Sequence, residues 1–219
     1  MKTLFLSSLI VFCGLIAYEN KKHKKIVEKS EKNFWETESK ANSTRKKSLD
    51  DLNYITIPFK KLPMDILKEN AEIVECHRLL EELSTQKIVN LTGFTNTDLK
   101  LKYGTANISY LSDYDQSYTL LVRTLQSWAE HLYTSGYITE AQTILEFSIS
   151  TNTDVSHSYY LLADIYDKNG DTEKKLELTN IAEKLNSSMN KVIVRTLQGS
   201  GPYCGWLHCE SDSPSRNLP

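Results

Sequence analysis

The chain has 219 residues, of which 40% are hydrophobic and 25% charged, so it can bury a sizeable core and is not a wholly disordered chain. The formal net charge of −2 gives no electrostatic reason to expect a nucleic-acid partner. The four cysteines are too few and too scattered for a small disulfide scaffold and fit a reducing compartment. Abundant Lys, Asn, Ile, Ser and Thr predict an AT-rich, low-GC bacterial genome.

The first predicted element is an apolar segment, Thr3–Tyr18. It carries no charge, and as a helix its 16 residues span about 24 Å, against roughly 30 Å of bilayer hydrocarbon. Lysines that snorkel can extend such a short span. Because only Lys2 precedes the segment and four lysines follow it, the positive-inside rule leaves the chain after Asn20 in the cytoplasm. Residues 1–20 are therefore predicted to be an uncleaved, single-pass membrane anchor with a cytoplasmic C-terminal domain.

Two alternatives remain open for this segment: a cleaved signal peptide, and a buried helix of a soluble protein. A signal peptide has an apolar region of about 7–15 residues after a basic start. Here most of the basic residues come after the apolar region instead. Phe12 also precedes Cys13, where a lipoprotein cleavage site needs a small residue. Both observations favour the anchor.

Residues 21–51 are predicted to be a charged juxtamembrane spacer, helical or disordered, in which lysines and glutamates are interleaved. Alternatively, this segment lies on anionic headgroups with Phe34 and Trp35 dipping into the membrane, although its glutamates weaken that attraction. Residues 52–63 contain β-branched and aromatic side chains and two prolines, Pro58 and Pro63, which predicts an extended strap.

The next element is an amphipathic helix predicted over residues 65–84, with Asp65 as a possible cap. Its apolar face comprises Ile66, Ile73, Cys76, Leu79, Leu80 and Leu83. Residues 85–115 contain Gly93 and Gly104 and leave room for one or two short helices.

A repeated pattern follows. A large residue precedes a small one, a second large residue comes next, and a glycine closes the pattern. The matching pairs, which all share one spacing along the chain, are Trp128 and Leu162, Ala129 and Ala163, Leu132 and Tyr166, and Gly136 and Gly170. A small residue lets two helices approach closely, and a glycine suits the turn that ends the first helix.

This pattern resembles the tetratricopeptide repeat (TPR) family, whose helix–turn–helix unit repeats with the same period, about 34 residues. The resemblance implies an all-α, TPR-like helical-repeat (α-solenoid) domain with units over residues 122–155 and 156–189. Ala141 occupies the close-contact position on the second helix of the first unit, whereas Lys175 departs from that pattern in the second. The alternative is an ordinary helical bundle whose period arises by chance.

Since about three units are usually needed for stability, helix 65–84 and a helix over residues 110–124 are predicted to supply an N-terminal layer. Residues 189–198 are predicted to form a C-terminal capping helix, which completes a helical domain over 52–198. Residues 199–219 are interpreted as a disordered or foreign tail. The tail holds Cys204, His208 and Cys209, which are too few ligands for a structural zinc site.

The sequence contains none of the common catalytic motifs. There is no phosphate-binding GxxxxGK[ST] loop and no HExxH, and the five histidines are scattered. Asp113 and Asp115 form a lone DxD, which is interpreted as a turn or helix start. We therefore predict a non-enzymatic protein with no cofactor, no metal, no nucleic acid and no small-molecule substrate.

The resemblance also implies where a ligand binds, because TPR ligands lie along the concave surface made by the first helix of each unit. By repeat position, the exposed residues there are Arg123, Gln126, Glu130, Tyr133, His157, Tyr160, Asp164, Asp167 and Lys168. Tyr133 and Tyr160 are the predicted anchors. The predicted function is a membrane-tethered adaptor for an unidentified protein or peptide partner; the alternative is a secreted or envelope-facing structural component after signal-peptide cleavage.

Overall fold

The computed structural model describes residues 2–199, except for the side chains of residues 2–11, 13 and 14. Regular secondary structure in this part of the chain is entirely helical, so the all-α prediction is confirmed. The helices are α1 Lys2–Asn42, α2 Ala71–Ser84, α3 Asn96–Tyr103, α4 Ile108–Thr134, α5 Ile138–Ser150, α6 Ser156–Asn169, α7 Thr172–Glu183 and α8 Asn190–Leu197. The cysteines and histidine of the predicted tail lie outside the described residues.

The chain forms two compact units, the first of which comprises the chain up to Asp50 together with Phe94–Ser109. The second comprises Asp51–Gly93 and the chain from Tyr110 onward. Residues 94–109, which the sequence placed in the domain over 52–198, thus group with the N-terminal segment. Among the described residues, no helix combines the length and the apolar character that crossing a membrane requires.

In the first unit, the C-terminal end of α1 packs against α3. Glu38 accepts hydrogen bonds from the Thr97 hydroxyl and, at 3.2 Å, from the Lys100 ammonium. Ala41 is fully buried, and its carbonyl accepts a bond of 3.1 Å from the Thr105 hydroxyl. The spacer predicted over residues 21–51 is therefore helical as far as Asn42.

In the second unit, α2 packs antiparallel to α4. The rings of His77 and Trp128 are 4.8 Å apart, and Glu72 lies 3.1 Å from His131. Glu72, near the start of α2, meets His131, near the end of α4, whereas His77, further along α2, meets the earlier residue Trp128. The two helices therefore run in opposite directions. The helix begins later than predicted, because Asn70 caps it by accepting from the backbone N–H groups of Glu72 and Ile73.

The prediction that Asp65 caps α2 is wrong, because the N-cap is Asn70. The carboxylate of Asp65 instead pairs with Lys68 at 2.5 Å, and Leu67 adopts a positive φ of 51° that interrupts any helix starting there. Similarly, Asp113 and Asp115 do not mark a turn or a helix start. Both lie inside α4, which is a single helix of 27 residues and includes the separate helix predicted over 110–124.

The turns after α4 and α6 have the same geometry, one repeat period apart. The N–H of Gly136 donates to the Tyr133 carbonyl at 3.1 Å, and the N–H of Tyr137 donates to the Leu132 carbonyl at 2.9 Å. The equivalent bonds at Gly170 and the next residue are 3.2 and 2.9 Å. Both glycines have a positive φ, 88° and 75°, so the prediction that they end the two helices is confirmed.

The helices that flank these turns recur with the same period: α5 begins at Ile138 and α7 at Thr172. The small residues Ala129 and Ala163 are both fully buried. Helix α6 contacts α5, α7 and α8, the last of which occupies the position predicted for the C-terminal capping helix. The core of the second unit therefore continues from one helix pair to the next.

The strap over residues 52–63 is non-helical and buries Leu52, Ile57 and Leu62. It pairs briefly with a second non-helical segment, residues 88–93, through an antiparallel bridge between Tyr54 and Val89. The amide nitrogen of Asn90 lies 2.9 Å from the Tyr118 hydroxyl and from the carbonyls of Thr151 and Asn152. The second segment is thus fastened to α4 and to the α5–α6 turn.

Below neutral pH, the half-buried imidazole of His77 is expected to destabilise the second unit. Burial lowers the pKa of His77, and among the described residues its Nε2 atom has no hydrogen-bond partner. Because the unfolded chain binds this proton more readily, the free energy of unfolding is highest above about pH 6.5, the ordinary pKa of histidine, and decreases as pH falls below it. Buffers at about pH 7.5 and about pH 5.5 lie on either side of that value. Urea unfolding of the full chain at both pH values, followed by circular dichroism, measures this. The drop in midpoint should be smaller in His77→Phe; equal drops would contradict the assignment.

Candidate functional site

All nine residues predicted for the partner surface lie on two neighbouring helices, α4 and α6. We call this surface the α4–α6 face. Two contacts fix the relative direction of the helices: Gln126 meets Ser158, and further along both helices Tyr133 meets Asp164. Because both partners advance together along the chain, α4 and α6 run in the same direction. The structure therefore brings the predicted residues together.

The first cluster on this face centres on Gln126, which links the two helices. Its amide nitrogen donates to the Glu130 carboxylate at 2.7 Å, and its amide oxygen accepts from the Ser158 hydroxyl. The Nε2 atom of His157 lies 3.0 Å from the same carboxylate. Gln126 and Ser158 are buried, whereas His157 and Glu130 remain partly open to solvent. This arrangement leaves an imidazole and a carboxylate at the surface, oriented by buried polar groups.

The second cluster is built around the hydroxyl of Tyr133. This hydroxyl donates to the Asp164 carboxylate and accepts from the Lys168 ammonium, which lies 2.8 Å from Asp164 and 5.0 Å from the centre of the tyrosine ring. Burial and the bond to Asp164 both raise the pKa of Tyr133. The bonds to Asp164 and Tyr133 raise the pKa of Lys168. At neutral pH the tyrosine therefore stays protonated and the lysine charged.

A third contact ties the α4–α6 face to α7. The ammonium of Lys175 donates to both oxygens of the Asp167 carboxylate, at 2.8 and 2.6 Å. Lys175 is the residue that departs from the small side chain implied by the resemblance to the repeat family. The ammonium of Lys175 lies at the partly exposed carboxylate of Asp167 and so outside the packed contact between α6 and α7.

The prediction that Gln126 and Tyr133 are exposed is wrong. Only 9% of the surface of Tyr133, and the same fraction of Gln126, is exposed, because both residues fill the space between α4 and α6. They position other groups and do not themselves present a surface to a partner. Arg123, Asp167 and Lys168 are exposed as predicted. Glu130, His157, Tyr160 and Asp164 are half-buried.

The prediction missed two residues that shape this face, Ser158 and Lys175. Ser158 is fully buried against α4, and the only sequence signal was a small residue between two aromatic or charged neighbours. The finished face alternates carboxylates with cations and is close to neutral. Among the side chains that the structure describes, no group of three from His, Cys, Asp and Glu could hold a metal ion. The α4–α6 face is therefore polar and includes one half-buried aromatic residue, Tyr160.

Comparison of the chain with protein-family models, with curated proteins and with solved structures gave no match. A function for this chain is therefore inferred from the geometry of the α4–α6 face and of the two repeated turns.

Proposed function

We propose that this chain is a membrane-tethered adaptor that binds a protein or peptide partner across the α4–α6 face of a TPR-like repeat. One observation carries the proposal: the same glycine turn and the same helix start recur after one repeat period. The contacts of Gln126 with Ser158 and of Tyr133 with Asp164 support the proposal, because they join the C-terminal part of α4 to α6 in the same direction. Helical repeats stacked in this way present an extended surface that suits a protein ligand.

The side chains on the α4–α6 face divide into those that contact the partner and those that position them. The contacting residues are Arg123, Glu130, His157, Tyr160, Asp164, Asp167 and Lys168, all of which are exposed or half-buried. Gln126 and Tyr133 hold the polar groups around them. Tyr160 is the proposed anchor, because aromatic side chains in protected positions dominate the free energy of many protein interfaces.

The tether is the N-terminal part of α1. Residues 3–18 carry no charge, and the chain on their C-terminal side is rich in lysine. Attachment through this segment, with the rest of the chain on the cytoplasmic side, is the arrangement that the distribution of lysines favours. An adaptor tethered in this way recruits its partner to the membrane.

The proposal is tested by site-specific photo-crosslinking in cells. A photoreactive residue at position 160 or 167 should form a covalent adduct with one partner, which mass spectrometry identifies. The same group at Thr139 or Glu177, exposed residues of α5 and α7 outside the α4–α6 face, should not form that adduct. The purified partner should then bind the wild-type chain, and Tyr160→Ala should weaken binding by about 2 kcal/mol or roughly 30-fold.

Two results would count against the adaptor. Adducts of equal yield at Thr139 and at position 160 would remove the preference for the α4–α6 face. Unchanged affinity in both Tyr160→Ala and Lys168→Ala would place the recognition surface elsewhere. The circular dichroism of each variant serves as the folding control, since both substitutions affect residues outside the fully buried core.

A further inference from the structure

Helix α1 carries two opposed stripes of side chains. At 100° per residue, Leu15 and Tyr18 lie outside the apolar side of the helix, whereas five other exposed apolar residues fall within an arc of about 100°. They are Phe12, Ile16, Ile26, Val27 and Phe34. Lys21, Lys25, Lys29 and Lys32 occupy the opposite side. Between the stripes stands Trp35, which is 67% exposed and packs edge-on against Phe34.

The apolar stripe lies on the same side of the helix as the surface that docks on α3. Glu38, which pairs with Lys100 of α3, and the buried Ala41 continue the helical spacing of Val27 and Phe34. Helix α3 covers the C-terminal end of this side only, and residues 15–34 are exposed. The stripe is interrupted by Glu19 and His23, which lie 4.0 Å from each other.

The charge of this region points to an anionic occupant. Residues 21–40 contain seven lysines and four glutamates. Glu38 forms an ion pair with Lys100 of α3. The ion pairs of Lys24 with Glu28 and of Lys32 with Glu36 are exposed and long, at 4.0 and 3.8 Å. Exposed pairs of this kind are worth little in water. An excess of positive charge therefore accompanies the apolar stripe.

We propose that α1 lies in the plane of an anionic phospholipid membrane, with its apolar stripe in the acyl boundary and Trp35 at the headgroups. This inference rests on the tether of the proposed function and specifies how it is made. Amphipathic helices with lysines on the polar face and aromatic residues on the other bind membranes in this way. Flanking lysines reach the headgroups by snorkelling, and indole rings prefer the same depth.

The continuity of α1 distinguishes this orientation from a transmembrane one. The helix runs without interruption from Lys2 to Asn42, and its 41 residues measure about 62 Å. If residues 3–18 crossed the bilayer, Trp35 would stand about 25 Å beyond Tyr18 and away from the lipid. In the in-plane orientation, Phe12 and Trp35 lie at a similar shallow depth. The position of Trp35 relative to lipid is therefore decisive.

The test places the full chain on vesicles of phosphatidylcholine with and without phosphatidylserine. Trp206 is replaced by Phe throughout, and Trp35→Phe gives the background from the fully buried Trp128. On phosphatidylserine vesicles, the emission of Trp35 should shift to the blue and be quenched by lipids brominated near the headgroup. Lys25→Gln with Lys29→Gln should weaken binding to these vesicles about 30-fold and leave binding to phosphatidylcholine unchanged. Lys60→Gln with Lys61→Gln, exposed lysines of the second unit, is the matched control and should have no effect.

Two results would overturn the inference. If the chain floats with vesicles but brominated lipid leaves Trp35 unquenched, α1 projects from the membrane. The membrane tether of the proposed function would then remain valid, but the in-plane orientation of α1 would be wrong. If vesicles do not bind and a photoreactive group at Ile26 crosslinks two copies of the chain, the apolar stripe pairs with a second copy. Neither readout uses the α4–α6 face, so crosslinking at position 160 tests the adaptor separately.

Discussion

Replacing Gly93 with alanine is expected to destabilise the second unit by roughly 3 kcal/mol or more, because two costs coincide there. The φ of Gly93 is +87°, a conformation that costs an alanine about 1–2 kcal/mol. In addition, a Cβ atom at this position would stand 2.1 Å from the carbonyl oxygen of Asn186. The contact is with backbone, so it cannot be relieved by rotating a side chain. Residues 88–93 would have to leave the α7–α8 loop.

Gly170→Ala is the matched control, because it has only the first of these costs. Its φ is +75°, but nothing lies within 4 Å of the added Cβ. The expected loss is about 1 kcal/mol. Urea unfolding of the full chain, followed by circular dichroism, gives both values. Equal losses in the two variants would mean that the segment at Gly93 moves freely and does not brace the α7–α8 loop.

The helices with a repeated pattern were predictable from the sequence. The large-small pairs and the glycines, spaced by one repeat period, indicate both the buried positions and the turns, because close packing and a positive φ each restrict the residue type. Ala129, Ala163, Gly136 and Gly170 accordingly have the predicted burial or turn geometry. A residue type that recurs at the same position in two units is easier to recognise than one that occurs once.

Helix boundaries were less predictable, because charge and helix propensity point in different directions. The change from apolar to charged residues near Asn20 suggested a boundary, but lysine and glutamate are good helix formers. Pairs such as Lys24 with Glu28 support a continuous helix. The start of α2 was misplaced for another reason: both Asp65 and Asn70 are suitable caps, and the positive φ of Leu67, which decides between them, leaves no trace in the sequence.

At the candidate site, the sequence predicted which helices meet but not how deeply each side chain is buried. Repeat position placed Tyr133 and Tyr160 on the same face. Burial depends on the neighbouring helix, and there Ser158 is small enough to admit Gln126, while Asp164 reaches the hydroxyl of Tyr133. These contacts join residues 31 or 32 positions apart. No local pattern encodes them.

Lys175 shows how a departure from a pattern can be compatible with a repeated helix pair. A small residue at its position would fill the contact between α6 and α7, as Ala141 does one repeat earlier. The lysine directs its ammonium to Asp167, so the helix contact tolerates the long side chain. The ion pair is partly exposed and is worth no more than about 1 kcal/mol.

The close contacts at Ala129 and Ala163 lead to the last prediction, that Ala163→Leu destabilises the second unit by about 1–3 kcal/mol. Ala163 is fully buried on α6, the helix that contacts α5, α7 and α8. A leucine there adds three carbon atoms at a position with no exposed surface, so we expect α6 to move away from a neighbour or side chains to leave their preferred rotamers. Because α6 carries five of the nine predicted site residues, the displacement should also reduce binding at the α4–α6 face.

Ala71→Leu is the control for Ala163→Leu, since it makes the same chemical change at an exposed position in the first turn of α2. Its effect on the free energy of unfolding should stay within about 0.5 kcal/mol. Urea midpoints of the two full-length variants, measured by circular dichroism, provide the comparison. If Ala163→Leu were as harmless as Ala71→Leu, the space beside α6 would be larger than the burial of Ala163 implies. The close approach of helices on which the repeat interpretation rests would then be wrong.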